Sequence, residues 1–291
     1  MAEMMTGIIG GSGLGDVLAR HMSGIEKIDV DTPFGKPSSH VIVGQMAGRK
    51  VAFLHRHGEG HKFGPSDVPY RANIYALKKL GVQSIIASCA VGSLRQEIAP
   101  KDVVVADQAI DKTFRRESSF FGGYGAVHCE MAQPFCNRLR GAIVQSAKTM
   151  TAKVHDKGTY ICMEGPQFST RAESLMHRGW GGDLIGMTAM PEAKLAREAQ
   201  MCYALVALVS DYDCWREHEA TSNKQTLLKE IIGNLQTATS NAIALISKTL
   251  EAGGQLCDDS CSCRKSLELA VWTDRKLISK EMQDKVAVLR S

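Results

Sequence analysis

Six aliphatic residues in a row, Ala204 to Val209, give way to polar positions only at Ser210-Asp211-Tyr212-Asp213. A run with no polar alternation has no solvent-facing side, so it predicts a strand buried on both faces of a parallel sheet covered by helices. Shorter apolar runs predict strands at Met4–Ile9, Val82–Ala90, Val103–Val105, Thr159–Met163 and Leu184–Thr188. Val41–Val43 and Val51–Leu54 form a plausible hairpin around Gly48. Helical spacing predicts helices over Tyr70–Leu80 (closed by Gly81), Asn137–Met150, Pro191–Gln200 and Thr226–Leu250. Thr170-Arg171-Ala172-Glu173 is a capping box opening a helix toward Trp180. Phe114–Gly125 has no clear period and reads as a long loop. Strands alternating with helices over about 250 residues predict one α/β domain with a mixed sheet. After Gly253-Gly254 the composition shifts to Cys257-Asp258-Asp259-Ser260-Cys261-Ser262-Cys263 and a charged helical tail. The expected division is therefore a main domain over 1–253 and a Cys-containing C-terminal tail over 254–291.

Composition narrows the class. The 291 residues are 44% hydrophobic and 23% charged, an ordinary globular balance. A net charge of +4 is too small to argue for nucleic acid. No apolar run reaches the length of a membrane span and the N-terminus lacks a secretory signal, so no membrane partner and a cytoplasmic location are expected. The nine cysteines are an odd number, leaving at least one unpaired within the chain. Cys89, Cys162 and Cys202 lie inside apolar segments and read as small buried hydrophobes.

Candidate chemistry gathers at strand ends, where open α/β sheets bind ligands. Asp211 and Asp213 are two apart, so continued extension points both carboxylates to one side. Two close carboxylates repel as anions, and one should hold its proton more readily than normal. Such a pair can donate a proton and accept a hydrogen bond, as a base-binding pocket requires. The alternative is that one Asp caps the next element and the other is solvated. Gly10-Gly11-Ser12-Gly13-Leu14-Gly15 follows a strand and precedes a helix start, the parts of an anion cradle. Its spacing fits neither the dinucleotide fingerprint nor the P-loop. In His55-Arg56-His57-Gly58-Glu59-Gly60-His61-Lys62 the interleaved cations would repel a divalent metal, so an oxyanion such as phosphate is favoured and no metal is expected.

Gly10-Gly11-Ser12-Gly13-Leu14, Arg56-His57-Gly58, Ala90-Val91-Gly92-Ser93-Leu94-Arg95, Glu164-Gly165-Pro166-Gln167-Phe168-Ser169, Gly186-Met187-Thr188 and Ser210-Asp211-Tyr212-Asp213-Cys214-Trp215 stand in the order of one family. Over residues 5 to about 250 the chain resembles the trimeric purine nucleoside phosphorylases, on their methylthioadenosine-cleaving branch. The resemblance implies a single α/β domain around a mixed, partly barrel-like central sheet surrounded by helices. It implies a pentosyltransferase that uses inorganic phosphate as co-substrate and needs no cofactor. The substrate would be 5'-methylthioadenosine, split to adenine and 5-methylthioribose-1-phosphate for methionine and purine salvage.

Carried over by motif, Ser12, Arg56, His57, Cys89 (through its backbone), Ala90 and Thr188 would bind phosphate. Met187 would lie against the ribose and Phe168 against the purine face. Ser169, Asp211 and Asp213 would face the purine edge, Asp211 as the acid that assists base departure. His128 matches a histidine entering a neighbouring subunit's pocket, so a homotrimer is implied. The 5' specificity position falls near Lys224, which is polar where relatives carry aliphatics; Leu227 is the nearest apolar candidate. Ser169 is the other specificity position. Cys261-Ser262-Cys263 resembles a Cys-x-Cys feature that joins disulfides in some relatives, with Cys136 and Cys202 as candidates for a second bridge. Two other functions compete: phosphorolysis of 6-oxo purine nucleosides, including methylthioinosine, and silent nucleoside binding. Relatives acting on 6-oxo purines use Asn where Asp211 stands, so the Asp pair favours a 6-amino purine.

Overall fold

The computed structural model describes residues 4–11, 14–122, 125–216 and 223–290. The first part of the chain gives β1 (Met5–Gly10), α1 (Gly15–Leu18), β2 (Ser23–Ile28), β3 (Val41–Met46), β4 (Arg49–His55) and α2 (Tyr70–Lys79). Then come β5 (Val82–Ser93), β6 (Val103–Val105), β7 (Gln108–Asp111), α3 (Asn137–Ala147), β8 (Val154–His155) and β9 (Thr159–Cys162). The rest is α4 (Arg171–Gly179), β10 (Leu184–Gly186), α5 (Ala189–Glu198), β11 (Cys202–Asp211), α6 (Lys224–Glu251) and α7 (Lys280–Val286).

The sheet is mixed and branches at β5. Its path runs β2-β3-β4-β1-β5-β10-β9-β7, while β11 pairs with β5 and β6, and β6 with β8. β5 is longer than its sequence suggests: Val91-Gly92-Ser93, expected as a turn, continues the strand. Pairing explains the extension, because Val91 and Gly92 lie opposite Val209 and Asp211 of β11 while Gly92 and Ser93 take β10 antiparallel. β6 and β7 are separated only by Ala106 and Asp107, and a hydrogen bond from the Asp107 N–H to the Gly158 carbonyl bridges the break. The circuit β5-β11-β6-β7-β9-β10-β5 therefore nearly closes, which makes this part of the sheet barrel-like.

β11 shows why an unbroken aliphatic run was needed. Tyr203, Leu205, Ala207 and Val209 pack into one core layer, and Cys202, Ala204, Val206 and Leu208 into the other. Residues Ala204 to Val209 are all 0% exposed. Full burial of a large aliphatic side chain contributes about 1.5–3 kcal/mol, so a polar residue here would have no compensating face. Helices α2, α5 and α7 cover the first layer and α3 and α6 the second. The predicted capping box is present at α4, with the Thr170 hydroxyl accepting from the Glu173 N–H at 3.2 Å and the Glu173 carboxylate accepting from the Thr170 N–H at 2.7 Å.

The tail after Gly253 is packed into the same core: Leu267, Ala270, Met282, Val286 and Leu289 join one layer, and Leu256, Cys257 and Cys263 the other. All nine cysteines are free thiols, so the bridges implied by the Cys-x-Cys resemblance are not formed. Among the described residues no helix is long and apolar enough to cross a membrane. The 28-residue α6 has the length, but one flank carries exposed polar residues.

Candidate active site

The carboxyl ends of β1, β4, β5 and β11 meet the turn between β10 and α5 around a cavity of about 390 Å³. Arg56, His57, Cys89, Ala90, Phe168, Met187, Thr188, Asp211 and Asp213 all line it. Ser12 lies outside the described residues. Its neighbour Gly11 is at the cavity wall, where a Cβ would come within 2.9 Å of Arg56 Nη1 and 3.2 Å of the Ser88 carbonyl. Any larger residue would push the guanidinium away.

Arg56 is fully buried. Its Nε and Nη2 donate to the two oxygens of Glu192 at 2.8 and 2.9 Å, and Nη1 donates to the Ser88 carbonyl at 2.7 Å. Burial works against the charge, but Glu192 more than offsets it and holds Arg56 protonated, above the ordinary arginine range. The Tyr203 hydroxyl donates to the same carboxylate at 2.8 Å, fixing it from β11. A bidentate, fully desolvated pair of this kind positions the guanidinium rigidly.

His57 Nδ1 is 2.9 Å from the Phe63 carbonyl, which can only accept, so Nδ1 carries the proton and Nε2 is left as an acceptor. Burial and then the charge of Arg56 push its pKa down to about 4. At neutral pH the ring is uncharged and offers Nε2 to a hydroxyl. His61 stacks on it at 4.2 Å between centroids and also lines the cavity. Burial pushes the Cys89 thiol up to about 11, so it remains protonated. Thr188 is fixed by its N–H donating to the Tyr160 hydroxyl at 3.1 Å.

The carboxylate pair occupies the end of β11. Asp211 already accepts twice, from the Ser210 hydroxyl at 2.6 Å and from the Asp213 N–H at 2.7 Å. Asp213 accepts from the Ser174 hydroxyl. Burial raises the Asp213 carboxyl above the ordinary aspartate range; Ser174 opposes this and the charge of Asp211 adds to it. Burial, more than repulsion between the two carboxylates, is thus what favours a proton on Asp213. Gly92 makes room for both, since a Cβ there would stand 3.1 Å from Asp213 Cβ and 3.2 Å from Asp211 Oδ1.

Between these polar groups the wall is apolar, formed by Val91, Met163, Ile185, Met187, Ile231 and Leu235 with Phe168 at 84% exposure. The Met187 backbone is held by Arg116, whose Nη1 donates to the Met187 and Met190 carbonyls at 2.5 and 2.6 Å. Glu164 accepts from the Phe114 N–H at 2.7 Å and pairs with Arg116 at 3.3 Å, so the long loop is pinned against the site.

Four expected positions fall elsewhere. Ser169 stands behind the cavity wall, its hydroxyl 3.7 Å from the Met163 sulfur and its carbonyl accepting from the Cys214 thiol at 3.2 Å. Lys224 opens α6 and is exposed; the cavity wall from that helix is Ile231 and Leu235 instead. At 1.5 Å rise per residue Lys224 lies about 10 Å from Ile231 along the axis, too far to face the same group. Leu227 is likewise outside the lining. His128 is exposed, does not line the cavity of its own chain, and packs edge-on against Trp272 at 6.0 Å. Sequence reasoning missed Glu192, Tyr203, Arg116, Ile231 and Leu235. Nothing in the sequence set Glu192 apart, since its helix also carries Lys194, Arg197 and Glu198.

Comparison with known proteins accords with this geometry. The profile of the phosphorylase superfamily matches residues 6–251. The S-methyl-5'-thioadenosine phosphorylase of Geobacter sulfurreducens is 42% identical over 291 residues, covering 99% of this chain and 98% of its own. That of Thermofilum pendens is 50% identical over 224 residues, 77% of this chain and 85% of its own. A crystal structure of methylthioadenosine phosphorylase from an antarctic soil metagenomic library superposes with a TM-score of 0.87 at 40% identity, covering 99% of both chains. The Schistosoma mansoni methylthioadenosine phosphorylase in complex with adenine gives 0.79 at 36% identity, covering 91% of this chain and 96% of that one.

Proposed function

This chain belongs to the phosphorylase superfamily, and from that premise we propose that it cleaves 5'-methylthioadenosine with phosphate, yielding adenine and 5-methylthioribose-1-phosphate. The observation that carries the reading is the polarity of one cavity: a fixed guanidinium at one end and a carboxylate pair at the other, with an apolar stretch between. Arg56 is anchored at Ser88 and Asp211 sits opposite Gly92 on the same strand. Four residues at roughly 3.3 Å each separate them by about 13 Å, room for phosphate, ribose and purine in line.

In this reading phosphate lies against Arg56, His57, the backbone at Cys89 and Ala90, Thr188 and Ser12. Phosphate meets an uncharged imidazole, whose Nε2 accepts from a phosphate hydroxyl while Arg56 supplies the charge. The glycosidic bond stretches toward an oxocarbenium-like state, positive on the sugar and negative on the base. The bound dianion stabilises the first, and a proton from the carboxylate pair stabilises the second. Asp211 is assigned to the imidazole nitrogen of the purine, with Asp213 at the exocyclic amine. Burial raises the proton affinity of Asp213, and in this scheme the pair shares one proton when a base arrives. Met187 and Phe168 flank sugar and base, and Ser169 supports Phe168 from behind. Ile231 and Leu235 give the 5' end an apolar wall, which supports a methylthio group over a hydroxyl and replaces the role expected for Lys224. No catalytic metal or organic cofactor enters the scheme.

The same reading places the enzyme in the cytoplasm as a homotrimer, with His128 reaching a neighbour's cavity. Its support is three exposed large apolar side chains in the tail: Leu269 at 91%, Trp272 at 75% and Leu277 at 78%. The tail over 254–291 would then serve assembly rather than chemistry. The deciding assay measures release of free base from methylthioadenosine, adenosine and inosine, with and without phosphate. Phosphate-dependent release, fastest from methylthioadenosine, is expected. Preference for inosine, or an unchanged rate without phosphate, overturns the proposal.

A further inference from the structure

On the face of the sheet covered by α3 and α6, the Sγ atoms of Cys136, Cys202, Cys261 and Cys263 all lie within 4.8 Å of one another. They come from separate parts of the chain. Cys136 is the N-cap of α3, Cys202 the first residue of β11, and Cys261 and Cys263 belong to the tail. Cys136, Cys202 and Cys263 are buried and Cys261 partly so, and none lines the catalytic cavity.

Cysteines used as small core hydrophobes have no reason to bring four sulfurs together. Two chemistries do, and they differ in geometry. Disulfides would sort the sulfurs into bonded pairs at about 2.05 Å. A tetrahedral zinc ion with Zn–S near 2.3 Å places every sulfur about 3.8 Å from the other three. Here Cys136 and Cys261 are 3.6 Å apart, Cys202 and Cys261 3.5 Å, and no two are bonded. Both distances, with all four sulfurs inside 4.8 Å, are near the spacing around a shared ion and well beyond that of a bonded pair.

The surroundings fit a zinc tetrathiolate, which carries a net charge of about −2. Cys136 stands at the N-terminus of α3, the positive end of the helix dipole. Arg197 lies close enough to act on Cys263, and Arg264 on Cys257. Cys257 is a fifth thiol, 3.0 Å from Cys202 but outside the four-sulfur group.

We propose that Cys136, Cys202, Cys261 and Cys263 form a structural zinc(II) site that clamps the C-terminal tail to the start of β11 and the head of α3. Binding replaces four S–H bonds by four Zn–S bonds and releases four protons, with no change of oxidation state. The site has no open position, so it contributes to folding and not to phosphorolysis, and it is independent of the function proposed above.

The full chain, purified under reducing conditions without added metal, should contain about one zinc ion per chain. After removal of zinc by a chelator, titration with cobalt(II) should give the intense visible bands of tetrahedral thiolate coordination. Proteolysis between 254 and 263 should become faster in the stripped protein. Cys136→Ser and Cys263→Ser should each lose most of the zinc, while Cys257→Ser retains it. If the serine variants fail to fold, zinc content and the cobalt spectrum of the unsubstituted chain decide the question. Folded, reduced protein that takes up neither metal overturns the proposal, as does recovery of these four cysteines as disulfides in metal-free protein. Full zinc retention by a folded Cys263→Ser variant also overturns it.

Discussion

Replacing Glu192 by glutamine isolates what it takes to keep Arg56 in the core. Both side chains are 0% exposed, and the carboxylate takes two guanidinium hydrogen bonds and one from Tyr203. Removing one partner of a buried pair leaves an uncompensated charge and costs about 3–5 kcal/mol. In a domain of this size each kcal/mol moves the melting midpoint by about 2–4 °C, so Glu192→Gln should lower Tm by roughly 6–20 °C. Phosphate would supply the missing anion. Its binding should therefore raise Tm more in Glu192→Gln than in the parent. A second comparison separates charge from packing: Arg56→Met/Glu192→Met should melt higher than Glu192→Met, because no charge is stranded, yet lose the phosphate response. Scanning calorimetry of the parent and these variants, with and without phosphate, reads all of this. A loss below about 1 kcal/mol, or a phosphate response in Glu192→Gln smaller than the parent's, would refute the reasoning.

Asp211→Asn should cut methylthioadenosine turnover by about 10²–10⁴-fold, the usual worth of general acid assistance, and raise relative activity on inosine; an unchanged substrate ratio argues that Asp211 serves only structure. Gly92→Ala inserts a Cβ 3.1–3.2 Å from Asp213 Cβ, Asp211 Oδ1 and Ile185, so kcat should fall while the phosphate-dependent Tm shift is kept; loss of both together would point to global damage. His57 is held near 4, below the ordinary 6.5, so the unfolded chain binds more protons between these values. Its contribution to stability is complete above about 6.5 and is lost as pH falls toward 4. His57→Gln should flatten the stability profile in that window, and a profile parallel to the parent's would contradict the assignment.

What could be read from the sequence follows from how local each signal is. β11 announced itself because burial on both faces demands an uninterrupted apolar run, and the paired carboxylates end it. The helix α6 was legible from its amphipathic period: its predicted bounds of Thr226–Leu250 lie within the observed Lys224–Glu251. The length of β5 was not, because Val91-Gly92-Ser93 is turn chemistry until two other strands take its edges. Glu192 and Arg116 were invisible because their partners lie 136 and 48 residues away, at Arg56 and Glu164. Resemblance pointed to Lys224, whereas the phase and length of α6 aim Ile231 and Leu235 into the cavity. Cys136 and Cys202 were singled out by analogy with bridges, yet the four-way convergence with the tail depends on the tertiary fold.

The branching of the sheet bears on how the chain is made. β5 can pair with β1 as soon as it is synthesised, but its long partner β11 begins only at Cys202. The roughly 110 residues between them take a ribosome about 5–20 s at 5–20 residues per second. For that time the growing polypeptide carries an apolar strand with Ile85, Ile86, Cys89 and Val91 beside an unfilled hydrogen-bonding edge. Such an edge pairs readily with other chains. Yield in a cell should therefore depend on chaperones that hold nascent chains more than on the stability of the finished fold, and synonymous changes that slow translation between β5 and β11 should increase aggregation without altering one residue of the protein.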